Sequence, residues 1–182
     1  MKNLDRAVVQ LALMEELAKH GSWCGETHIQ KATFFLQELA KVPLGFTFIM
    51  YKYGPFSFDL RQELTAMRAD QLARIEMKSN QCPALLPSDL YPRLRQLYPK
   101  ELNKYSRQVS FIASRIGDRN VTELEKLGTA LFVKINSSSS ANLKELIPRF
   151  CELKPHLSPA DARQAFVEVD KISDDAKRLG ES

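Results

Sequence analysis

Cross-linking chemistry is sparse in this chain. Its three cysteines, Cys24, Cys82 and Cys151, are odd in number and far apart, which argues against a disulfide framework. Each is expected to behave as a small hydrophobe in a reducing compartment. No apolar run reaches the roughly 18 residues that span a bilayer. The N-terminus has no basic stretch leading into an apolar segment with a small-residue cleavage site. These absences predict a cytoplasmic protein with no membrane partner. Missing too are a glycine-rich phosphate loop, an H-E-x-x-H helix and a G-x-S-x-G elbow. The three histidines stand beside no nucleophile signature, and pairs such as Glu15-Glu16 and Asp174-Asp175 read as solvated faces. No catalytic residue and no cofactor is expected. His20, Cys24 and His28 are metal-binding residue types spaced four apart, but Gly21 and Gly25 interrupt the helix face that this spacing needs, and no fourth ligand lies nearby. No metal site is expected, and His28 reads as an exposed first-turn residue.

Composition points to a folded globular protein. With 44% apolar and 26% charged residues over 182 positions, the chain can bury an ordinary core in one domain, 1–182. A core of 1–135 carrying a helical extension at 141–180 is the alternative division. The formal charge of +4 is unevenly spread. Residues 1–90 hold ten basic and ten acidic side chains, 120–182 hold nine and ten, and 91–119 hold seven and two. The whole excess sits in one middle segment, which can raise the local concentration of an acidic partner.

Periodicity supplies the elements. Residues 3–19 are apolar around much of a helical circumference, the mark of a buried helix. Thr27 with Gln30 reads as a capping box opening a helix over 29–41, stopped by Pro43 and Gly45. Residues 46–53 alternate with period two and predict a strand, ended by Gly54-Pro55. Ser57 caps a helix over 58–69. A short strand over 72–78 is its guessed partner. Four prolines make 80–99 a packed connection. Helices follow over 100–116, from Asn120 with the Glu123 capping box to about 135, through 153 with Pro148 inside, and from the Ser158-Pro159 start to about 179. The expected class is mainly α (α+β), with about six to seven helices and a small two- or three-stranded β element.

The octapeptide 29–36 (IQKATFFL), the Pro43 and Gly45 linker, and Tyr51-Lys52-Tyr53-Gly54-Pro55-Phe56-Ser57 together resemble the bacterial YwgA-like proteins and the related Panacea domain. There a leucine-glutamine-lysine-leucine-x-tyrosine helix precedes a strand ending in tyrosine-glycine-proline. Leu153-Lys154-Pro155-His156-Leu157-Ser158 is similar to the lysine-proline turn before the final helix of those families. The chain departs from the pattern at Ala32 and Phe35, where a larger aliphatic residue and a tyrosine are usual. The resemblance implies a mainly helical fold and a protein-binding role, as in antitoxin domains that neutralise toxins by contact and in proteolytic adaptors, often in a defence setting. It supplies no catalytic residue.

Two candidate surfaces emerge. Tyr51, Tyr53 and Phe56 crowd a strand-to-helix corner, and Lys31 lies beside the first helix motif. Aromatic rings offer large contact area at small entropic cost, so these four residues are the candidate contacts with a partner protein, such as a toxin or defence component. The ordinary alternative places Tyr53 and Phe56 in the core and Lys31 in water. Lys104, Arg107, Phe111 and Arg115 share one face of the 100–116 helix with Lys100, a pattern that suits nucleic acid or an acidic protein surface. Its ordinary alternative is a solvated face with Phe111 covered by a neighbouring segment.

Overall fold

In a computed structural model the described residues, 3–77 and 83–180, form eight helices and two separate two-stranded antiparallel sheets. Lys78 and Cys82 lie outside the described residues. The mainly helical α+β class expected from the sequence is what the chain adopts.

The order is α1 (Asn3–Lys19), α2 (Glu26–Glu38), β1 (Ile49–Tyr51), β2 (Gly54–Phe56), α3 (Phe58–Ala69), β3 (Ala73–Glu76), β4 (Ala84–Pro87), α4 (Tyr91–Leu97), α5 (Pro99–Ile116), α6 (Val121–Ile135), α7 (Leu143–Leu153) and α8 (Pro159–Gly180). Helix α2 is the central element. Every residue from His28 to Leu36 is buried, because α1, α5, α6 and strand β2 all pack on it. A helix enclosed on all sides must place its polar groups on partners. Gln30 does so with its whole amide, donating to the Ser57 carbonyl at 3.0 Å and accepting from the Ser57 amide at 2.9 Å. Thr33 donates to Gln10 at 2.9 Å, and His28 donates from Nε2 to the Ile116 carbonyl at 2.9 Å.

These bonds correct two expectations. Gln30 is committed to Ser57 and does not close a capping box. The helix starts at Glu26 behind Gly25, with no side-chain cap. His28, expected in solvent, is only 7% exposed. The first strand is also shorter than expected. Phe46 exchanges both backbone bonds with the Gln37 side chain, at 2.9 and 3.0 Å, so a side-chain amide takes the backbone groups of Phe46, and strand pairing begins at Ile49. Its partner is not the 72–78 segment. The chain reverses at Lys52-Tyr53 and β2 returns with Tyr51 opposite Gly54 and Ile49 opposite Phe56. Strand β3 pairs with β4, Ala73 opposite Pro87. Short α4 is the helix that the proline count concealed. Pro92 sits in its first turn and Pro99 opens α5, positions whose amides have no intrahelical acceptor in any case.

Helices α3, α5, α6 and α8 follow their local signals. Ser57 accepts from the Leu60 amide at 3.2 Å. Asn120 and Glu123 complete a reciprocal capping box at 3.0 and 2.9 Å. Helix α8 packs across α6, α7 and α5. Arg115–Asp175 at 2.8 Å and close Lys126–Asp161, Arg119–Glu168 and Lys134–Asp170 pairs fasten it.

Candidate functional site

The β1–β2 hairpin lies on α2 and α6, and its underside rests on charge. Lys31 projects from α2, Glu125 from α6, and Lys154 from the turn between α7 and α8; all three are buried. Lys154 Nζ lies 2.7 Å from Glu125 Oε1 and donates to the carbonyls of Tyr51 at 3.0 Å and Lys52 at 2.5 Å. One ammonium group thus holds the hairpin turn to α6. The contact with Glu125 is electrostatic and poorly aligned, so Oε1 has no directional hydrogen bond. His156, more than half exposed, stands 3.5 Å from the same oxygen at the solvent side.

Lys31 is the exception among the polar residues of α2. It is 2% exposed and forms no hydrogen bond or ion pair among the described residues. Burial pushes its pKa down to about 8, Lys154 adds to the drop and Glu125 opposes it. This corrects the expectation of a solvated lysine. Its stem supports the hairpin: a Cβ at Gly54 would meet Lys31 Cε at 3.2 Å, and one at Gly128 would meet Pro55 Cδ at 3.0 Å. Two glycines therefore let the hairpin approach both helices closely. Gly54 and Pro55 are themselves buried, so they are packing elements as well as a turn.

The outer side of the hairpin is aromatic. Tyr51, Phe56 and Phe58 form a triangle with centroid distances of 5.5, 6.0 and 5.1 Å. Tyr51 is 55% exposed and Phe58 49%, and Tyr53 and Ile49 are exposed beside them. Phe56 is half-buried. Tyr53 is therefore not a core plug; Lys52 lies 5.3 Å over its ring. The rings meet in tilted and edge-on geometry, an arrangement in which each ring supports its neighbours.

The α5 candidates are divided between water and packing. Arg115 pairs with Asp175 and lies 5.2 Å over the Phe111 ring, which packs on the core. Lys104 lies 5.0 Å over Tyr105 and is exposed. Arg107 is exposed, and neither Lys104 nor Arg107 has an acidic partner among the described residues. Helix α8 thus neutralises one end of the basic face.

Sequence reasoning missed Glu125, Phe58 and the role of Lys154. Glu125 did leave a signal. It interrupts the apolar stripe Leu124, Gly128, Leu131 of α6, and a carboxylate on a stripe facing the core needs an internal cation. No family model, curated protein or solved structure matches the chain significantly.

Proposed function

We propose that this chain is a non-catalytic protein-binding module whose contact surface is the outer face of the β1–β2 hairpin and the start of α3. The observation that carries the reading is the exposed triangle of Tyr51, Phe56 and Phe58 on a hairpin fixed from beneath. Large aromatic groups held in place lose little freedom on binding, which is what distinguishes energetic anchors from ordinary surface. Lys52, which lies over the Tyr53 ring, favours a partner that presents an apolar patch with an acidic rim. Lys31 acts here through the hairpin and not by touching the partner. The motif resemblance to antitoxin and adaptor domains supports the same reading, with a toxin or a defence component as the partner class.

A second reading rests on Lys104 and Arg107, the two α5 cations that retain no acidic partner among the described residues: a nucleic-acid-binding regulator contacting phosphates through that face. The two readings separate in one experiment. Tagged wild-type, Tyr51→Ala, Phe58→Ala and Lys104→Glu/Arg107→Glu chains are used to recover partners from the source cells, and each variant is checked by thermal unfolding. A recovered protein should bind the wild type directly when purified. Both aromatic variants should weaken it at least tenfold with little change in melting temperature, and the charge-reversal variant should leave it unchanged. Recovery of nucleic acid alone, lost on charge reversal with a steep salt dependence, reverses the assignment.

A further inference from the structure

The β3–β4 hairpin has one closed edge and one open edge. The Leu85 amide donates to the Cys24 carbonyl at 2.9 Å, and β4 lies against α1, so the outer side of β4 is occupied. The same bond shows how the ladder alternates. Leu85 turns its N–H away from β3, and next to the strands the Ser88 amide donates to the Leu72 carbonyl at 3.0 Å. Ile75 and Leu85 are therefore a non-hydrogen-bonded pair, between bonded pairs at Arg74–Leu86 and Glu76–Ala84. In such a pair the backbone groups point away from the partner strand. The N–H and C=O of Ile75 thus face outward from β3, and neither has a partner among the described residues.

Space and apolar surface lie along this edge. A groove of about 440 Å³ runs between β3 and Thr65, Arg68 and Ala69 of α3. Ile75 is 41% exposed and Met77 70%, and strand alternation puts them on one face. An open edge carrying apolar side chains pairs readily with another strand, and charged residues are the usual deterrent. Here the charges favour one particular strand. Arg74 and Glu76 project from the other face as a 3.0 Å ion pair in contact with solvent. They differ in sign and flank Ile75 symmetrically, so a two-fold axis at Ile75 sets each Arg74 opposite the Glu76 of a second copy. Moving the axis by one residue sets Arg74 opposite Arg74 or Glu76 opposite Glu76, which like-charge repulsion disfavours.

We propose that the chain forms a two-fold dimer in which β3 pairs antiparallel with β3 of a second copy, centred on Ile75. The two hairpins become one four-stranded sheet in the order β4–β3–β3–β4. Each Ile75 exchanges both backbone bonds with the other, the two exposed isoleucine side chains meet, and four charges of alternating sign surround the axis. A self-complementary contact of this kind closes on itself and leaves no open β3 edge for further growth. The surface lies apart from the aromatic hairpin and does not rest on the protein-binding reading.

A short strand pair is a small contact, so a dissociation constant on the order of 100 µM is expected. Sedimentation of the purified full-length chain should therefore pass from monomer to dimer between roughly 10 µM and 1 mM. Exchange of the Ile75 amide, followed by NMR, should slow as the dimer forms. Arg74→Glu and Glu76→Arg each place like charges across the axis. Each variant should keep its circular dichroism and melting temperature and dimerise about tenfold more weakly or worse. Mixed in equal amounts, the two variants should recover wild-type association as a mixed dimer, because each then meets the opposite sign. A wild-type chain that stays monomeric at about 1 mM overturns the proposal. So does a dimer that survives both reversals, one that leaves the Ile75 amide unprotected, or a mixture that associates no better than either variant alone.

Discussion

Lys31 occupies a position where methionine would pack as well. An ammonium group surrounded by protein without a hydrogen bond is destabilising, and Lys154 nearby makes it more so. The sign of the pH dependence follows. The folded pKa is about 8, against 10.5 when unfolded, so the unfolded chain binds more protons between these values and stability rises with pH across that window. Below pH 8 the full penalty applies, on the order of 3 kcal/mol, since each tenfold loss of proton affinity on folding costs about 1.4 kcal/mol. Lys31→Met is therefore expected to stabilise the protein at pH 7. Its advantage over wild type should shrink as pH climbs from 8 toward 10.5. Chemical denaturation of both proteins across this range tests it; an advantage that stays constant with pH sinks the argument. The sequence hides this residue in plain view. The helix motif containing Lys31 is legible, but whether a lysine faces water depends on what covers it, and here the cover is a hairpin and a second helix from later in the chain.

At the scale of elements, what is readable is what is locally determined. Ser57, the Asn120–Glu123 box and the Ser158–Pro159 start place three helices because a cap lies within three residues of the amide it serves. The strand pairing is not readable for the same reason in reverse. Gln37 takes the backbone groups of Phe46, and no residue in 46–53 announces that. The hairpin turn depends on a glycine. Gly54 has φ +92° and its position faces Lys31 Cε, so Gly54→Ala introduces both left-handed strain and crowding. It should cost roughly 1–3 kcal/mol, read as a lower denaturation midpoint with an unchanged slope. It should also weaken the partner that Tyr51→Ala loses. An alanine variant as stable as wild type would mean that the hairpin tolerates more freedom than its close packing implies. The aromatic corner is visible as a motif. Phe58 joining Tyr51 and Phe56 across the end of β2 is not, because its place in the triangle depends on how the strand returns.

Across the whole molecule, charge and covalent distance are rearranged by folding. The basic excess of 91–119 looks like a separate patch along the chain, but α8 brings Asp175 to Arg115 and Glu168 to Arg119. The folded surface is therefore less cationic there than the sequence count suggests. The same closure joins Lys154 to Tyr51, 103 positions away. Lys154→Met removes three contacts at once and leaves Glu125 without its 2.7 Å cation. Breaking such a buried pair should cost roughly 3 kcal/mol. Amide hydrogen exchange should accelerate at residues 49–56 beyond the change seen in α1 or α5. Uniform acceleration throughout would mean that Lys154 serves general stability and not the hairpin in particular.

That anchor also fixes an order of events during synthesis. A ribosome delivers the aromatic corner early, yet the ammonium group that clamps it emerges 103 positions later. Until then a nascent chain carries the exposed rings on a hairpin that lacks its ammonium anchor, so under the binding role proposed above firm capture of a partner is deferred until the turn after α7 has docked.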